Sequence, residues 1–141
     1  MRYAHTVGLT WLAEGHLRRG ARSLARPLIE QLLATTRQSG YLHYEGRACW
    51  LLADCLAAEA SDAAEKYNET AIRIFEEIDA RNDLGRAMLS RAMLRREAGD
   101  ASAARQLLQQ AIEIFEALGT HDELLRARQA LLALSETTAR H

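Results

Sequence analysis

Apolar side chains return at intervals of three and four residues along most of the chain, and the pattern breaks where glycine, aspartate and serine cluster. That spacing is the signature of amphipathic helices, each with one oily stripe to bury. Seven helices are expected, near 4–18, 22–38, 42–58, 62–78, 83–98, 101–118 and 122–136. Their ends have local causes. Asp62 and Asp100 stand where a side-chain oxygen would cap free N–H groups, and Gly20, Gly40, Gly99 and Gly119 suit the left-handed turn that closes a helix. Pro27 falls about one turn into the second helix, so that helix either begins later or bends there.

The helices come in pairs that repeat. Gly20-Ala21-Arg22-Ser23-Leu24-Ala25 aligns with Gly99-Asp100-Ala101-Ser102-Ala103-Ala104, with Ala60-Ser61-Asp62-Ala63-Ala64 one residue shorter between them. Small residues keep the same phase: Ala13, Ala53, Ala92 and Leu132 are separated by 40, 39 and 40, as are Gly8, Ala48, Ala87 and Ala127. The segments 71–78 and 111–118 match nearly residue by residue at a spacing of 40. A period of this kind makes each pair lean on the next to hide its oily side. The expectation is one domain over 1–141, with repeats at about 4–40, 41–80 and 81–120 and a closing helix at about 121–138. Alanines such as Ala53 against Ala64 and Ala71, or Ala92 against Ala104 and Ala111, let paired helices approach closely. Leu32, Leu33, Ile72, Ile74, Phe75, Leu108, Ile112, Ile114 and Phe115 are expected to fill the core between repeats.

Composition agrees with the helical reading: 26 Ala and 22 Leu stand against one Val and six Ile, which argues against a sheet. A chain of 141 residues, 48% apolar, forms a core without staples. Eighteen basic and nineteen acidic side chains leave a net charge of −1, so neither nucleic acid nor an anionic membrane is the expected partner. An RNA-binding helical repeat would also need a basic stripe with interleaved aromatics, which is missing from the sequence. Cys49 and Cys55, six residues apart, turn to different helix faces and are expected as small buried hydrophobes of a reducing compartment. The absence of a long apolar run or a leader-like start points to a soluble cytoplasmic protein.

Catalytic signatures fail in turn. There is no phosphate loop ending in Lys-Ser or Lys-Thr, no His-Glu-x-x-His and no Gly-x-Ser-x-Gly. The histidines at 5, 16, 43, 121 and 141 are never three or four apart as paired metal ligands on a helix would be. No catalytic residue, cofactor or metal is expected.

Ala92, Gly99-Asp100, Ala104, Leu108 and Ala111 resemble the tetratricopeptide repeat, a helix-turn-helix with small residues in its first helix and Ala, bulky, Ala in its second. Ala53, Ala64, Asn68 and Ala71 offer a second unit and Ala13, Gly20, Ala25, Ile29 and Leu32 a first, with the fit weakening toward the N-terminus. The period of about 40 exceeds that family's usual length, and the excess lies at 79–83 and 119–122. Such longer pairs look like the arrays of large bacterial signalling ATPases, cyclases and transcriptional activators. The resemblance implies an all-α, right-handed solenoid of three pairs plus a closing helix. Its role would be a non-catalytic protein-interaction module, a regulatory part of a larger protein, with a peptide or small-ligand sensor as the alternative.

The resemblance also implies a concave face lined by the first helix of each pair. Carried over on Ala53 and Ala92, it assigns Arg47, Trp50 and Asp54 from the second unit, Arg86, Leu89, Met93 and Arg96 from the third, and Arg126 and Gln129 from the closing helix. Val7, Thr10, Glu14 and Leu17 would continue it in the first unit. Arg47, Arg86 and Arg126 recur at spacings of 39 and 40, a ladder for clamping carboxylates of a protein or peptide. The same arginines could instead pair with neighbouring acids such as Asp83 or Asp122, and Trp50 could be core. Leu124, Leu125, Leu131, Leu132 and Leu134 make the closing helix apolar on more than one side. A homodimer through this helix, or docking onto further repeats, is expected.

Overall fold

A computed structural model describes residues 2–139, with side chains described for 5–136. Among these residues there are seven helices and no strands: α1 (Arg2–Arg18), α2 (Arg22–Ser39), α3 (Leu42–Leu56), α4 (Ser61–Glu77), α5 (Arg81–Glu97), α6 (Ala101–Leu118) and α7 (His121–Ala139). They form two compact units, Met1–Asp79 and Ala80–His141. In the first, α1 packs on α2, α2 on α3 and α3 on α4, while α1 also reaches α3. In the second, α5 packs on α6 and α6 on α7, while α5 also reaches α7. Consecutive packing of this kind is an all-α helical-repeat architecture.

The helix ends follow the local signals with two exceptions. Gly20, Gly40, Gly99 and Gly119 all take positive φ, between 72° and 86°. At Gly119 the backbone N–H donates to the Phe115 carbonyl at 2.9 Å, closing the last turn of α6. The end of α4 lacks a glycine, and Asp79 takes the left-handed conformation there with φ 55°, which a short polar side chain tolerates. Asp100 caps α6 by accepting from the Ala103 N–H at 3.1 Å. Asp62 does not cap: α4 starts one residue earlier, at Ser61, so Asp62 sits inside its first turn. There its charge still faces the positive end of the helix dipole. Asp100→Ala is expected to cost about 1 kcal/mol in urea unfolding, whereas Asp62→Ala costs less because no cap bond is lost.

Helix α2 runs without interruption from Arg22 through Pro27 to Ser39, so a later start is excluded. Proline lacks the N–H that would bond the Ser23 carbonyl, and both residues are exposed, where a missing helix bond costs least.

The core is built on small residues. Ala13, Ala25, Ala48, Ala53, Ala64 and Ala71 are buried in the first unit, and Ala87, Ala92, Ala104, Ala111 and Ala127 in the second. The two phenylalanines have a more specific place than the core between repeats. Each lies within its own pair, Phe75 of α4 against Gly46 of α3 and Phe115 of α6 against Gly85 of α5. A Cβ built on Gly46 would meet the Phe75 ring at 2.7 Å, and one on Gly85 would meet Phe115 at 2.6 Å. Glycine is therefore required by the ring, not by a turn. The first pair solves the same problem differently: Thr6 and Thr36, at the corresponding positions, are both fully buried. Two medium side chains replace one absent and one large, which conserves volume. The Thr36 hydroxyl donates to its own helix, to the Leu32 carbonyl at 2.9 Å. Asn68 is wholly buried where the other pairs carry Ile29 and Leu108.

Candidate functional site

The nine residues assigned to a binding face are divided between the units. Arg47, Trp50 and Asp54 belong to α3 in the first; Arg86, Leu89, Met93 and Arg96 belong to α5, and Arg126 and Gln129 to α7, in the second.

In the first unit the structure joins two of the expected lining residues to each other. The Arg47 guanidinium donates to the Glu14 carboxylate, linking α3 to α1. Both side chains are about one-fifth exposed, at 20% and 18%, so the pair is shielded from solvent more than an ordinary surface bridge. Trp50 is buried and Asp54 half-buried. Thr10, expected to line the same face, is buried and donates its hydroxyl to the Thr6 carbonyl at 2.8 Å.

In the second unit Arg86 lies 3.6 Å from the Asp83 carboxylate, one turn earlier on the same helix. Leu89 and Met93 are partly buried and pack against Ala92, Ala104, Leu108 and Leu134. Arg96 lies near Glu97 at 3.5 Å and remains open to solvent. Arg126 and Gln129 are exposed on α7. The second unit thus places arginine on the same helix as the partly buried Leu89 and Met93, and a carboxylate of the chain itself engages Arg47 while another lies close to Arg86.

One feature lay beyond sequence reading. Where the start of α2 meets the end of α3, Arg22, Arg26, Pro27, Glu30, Cys55 and Glu59 line an open cleft of about 400 Å³. Arg26 bridges it, 3.0 Å from Glu30 and 3.8 Å from Glu59. The Arg26/Glu30 spacing was readable as an ion pair along one helix. Its third member, Glu59, is brought in only by the packing of α2 on α3.

Cys49 and Cys55 are free and buried. Burial pushes the Cys49 thiol up to about 11 and also raises that of Cys55. Both stay protonated near neutrality and are poor nucleophiles. No group of three metal-ligating side chains occurs among the described residues; His141 lies outside them. No described helix is long and apolar enough to cross a membrane.

The tetratricopeptide repeat model matches residues 46–117, just over half of the chain. No curated protein matches it. The matched stretch begins at Gly46 and includes both glycine–phenylalanine seams, from α3 through α6. Paired helices seated on small residues, repeated at about 40 residues, and the family match across two of those pairs establish that this chain belongs to the tetratricopeptide repeat family.

Proposed function

We propose that this chain, of a family whose repeats generally mediate protein–protein interaction, is a non-catalytic recognition module in which each unit binds an acidic peptide or partner helix along its own first-helix faces. In the first unit Arg47 supplies the carboxylate contact and Asp54 the polar rim, with Trp50 buried behind them; in the second Arg86 and Arg126 supply carboxylate contacts, Leu89 and Met93 the apolar floor, and Arg96 and Gln129 the polar rim. The observation that carries this reading is the behaviour of equivalent arginines. Arg47 already holds a carboxylate, Arg86 has one within 3.6 Å, and Arg126 is exposed at the third position. A guanidinium can take a carboxylate through two parallel hydrogen bonds, so a well-placed ligand acid competes with the single internal contact at each arginine. The long repeat supports placing the module in the regulatory part of a larger signalling or transcription protein.

The test is selection from a displayed peptide library, followed by titration of the selected peptides. Wild-type protein is expected to select acidic sequences, and Arg86→Ala/Arg126→Ala to weaken their binding by about ten-fold or more, with circular dichroism and melting unchanged. Arg47 is left intact because its loss would strand Glu14 in a half-buried site. Unaltered affinity in the double variant would show that the arginines serve the fold alone.

A further inference from the structure

The cleft between α2 and α3 is a departure from the repeat. At a spacing of 79 the same seam recurs in the second unit, between α6 and α7. There Ala101, Arg105 and Gln109 stand for Arg22, Arg26 and Glu30, and Leu134 stands for Cys55. Leu134 is buried against Ala104 and Leu108, and Ala101 packs on the same cluster. In the first unit a thiol replaces that leucine and an exposed arginine replaces that alanine. Part of the space that side chains fill between α6 and α7 therefore stays open between α2 and α3, as the cleft of about 400 Å³. Small-molecule sites occupy about 300 to 1,000 Å³ and use a few placed polar groups.

Four charged side chains line this cleft, two of each sign: Arg22, Arg26, Glu30 and Glu59. Two of them satisfy each other, since the Arg26 Nε donates to the Glu30 carboxylate at 3.0 Å. Glu59 comes only within 3.8 Å of Arg26, which is beyond hydrogen-bond length. The Arg22 side chain forms no hydrogen bond or ion pair among the described residues, with Glu59 or with any other. One guanidinium and one carboxylate are thus left over on a single cleft, whose remaining lining includes the Pro27 ring and the Cys55 thiol.

We infer that this cleft binds a small zwitterion of the amino-acid or dipeptide class, with its carboxylate on Arg22 and its ammonium on Glu59. The guanidinium fork matches a carboxylate through two parallel hydrogen bonds, and an ammonium brings three donors to a carboxylate that here accepts none. A simple anion would add negative charge beside an uncompensated Glu59, and a simple cation would add positive charge beside Arg22. The lining therefore selects one charge of each sign on the ligand, while the Arg26–Glu30 pair stays in place.

The experiment titrates the full chain with L-alanine and with L-alanyl-L-alanine, each also as its N-acetyl and its amide form, and follows binding by NMR chemical shifts. At least one of the two zwitterions is expected to bind about ten-fold or more tightly than both of its capped forms; the tighter of the two tells a free amino acid from a peptide. Arg22→Gln is expected to remove the advantage over the amide, and Glu59→Gln the advantage over the acetyl form. Both residues are exposed, so the melting temperature stays unchanged. Cys55→Leu, which copies the second unit, is expected to abolish binding. No saturable binding of either zwitterion, a capped form that binds as well, or a preference that survives both charge substitutions overturns the proposal. So does undiminished binding by a folded Cys55→Leu; if that variant fails to fold, the two charge variants decide alone. None of these changes touches Arg47, Arg86 or Arg126, so this reading and that of acidic-peptide recognition fail separately.

Discussion

Phe115→Ala is expected to lower unfolding stability by about 3 to 5 kcal/mol, and Phe75→Ala by a similar amount. Both rings are completely buried, and each rests on the Cα of a helical glycine. Removing a ring leaves a void, and the cost depends on how far the surroundings collapse into it. Here one wall is the backbone of α3 or α5 at a residue with no side chain, which cannot swing inward. The loss should therefore fall toward the upper end of the range. A decrease of about 3 kcal/mol corresponds to a fall of roughly 10 °C in Tm for a chain of this size. Thermal and urea unfolding of the two variants check the expectation. A Tm within a few degrees of wild type would mean that the rings are not the centre of each pair.

The second large effect is one of sign. Glycine in the interior of a helix is worse than alanine by about 1 kcal/mol, so propensity alone makes every Gly→Ala change in a helix stabilising. Four glycines of this chain lie inside helices, and the structure divides them. At Gly85 the new methyl would stand 2.6 Å and 2.9 Å from the Cε1 and Cζ atoms of Phe115, and at Gly46 it would stand 2.7 Å from Phe75 and 3.1 Å from Ile74. These rings are fully buried and have nowhere to retreat, so overpacking of about 1 to 3 kcal/mol exceeds the propensity gain. Gly46→Ala and Gly85→Ala are expected to destabilise. In α1, a methyl on Gly8 meets nothing within 4 Å, and one on Gly15 meets only Arg19 at 3.9 Å. Those two changes are expected to stabilise by up to about 1 kcal/mol. Urea midpoints of the four single variants, compared at constant slope, decide the matter. Relief of Gly85→Ala by a second change, Phe115→Leu, would tie the penalty to the ring itself.

Much of the fold was legible because its causes are local. Helix number, the pairing, and the left-handed closures at Gly20, Gly40, Gly99 and Gly119 come from periodicity and from residues that alone tolerate a given turn. The same local reasoning failed at Asp62, where a shift of one residue in the start of α4 moved the carboxylate from the cap into the helix. Nor did it show that Phe75 and Phe115 rest on Gly46 and Gly85 of their own pairs, since an apolar stripe does not say which neighbour it meets.

The candidate site was legible only as positions. The recurrence of Arg47, Arg86 and Arg126 was plain in the chain. That Arg47 engages Glu14 of α1 was not, because residues 33 apart in sequence carry no mark of their pairing. That α7 carries leucines on more than one side was legible; which of them stay exposed, Leu125 and Leu132, was not. Ala92 and Leu132 share a repeat position, yet one is buried against Ala104, Leu108 and Leu134 and the other is exposed.

From the sequence by itself came the all-α class, the seven helices and the period of about 40, because helix pattern and turn chemistry act over a few residues. Tertiary structure alone decided which small residues are indispensable, Gly46 and Gly85 among many alanines, which arginine is already engaged, and which leucines stay uncovered. Those outcomes depend on distances between side chains tens of residues apart, and close packing sets such distances to within a few tenths of an ångström.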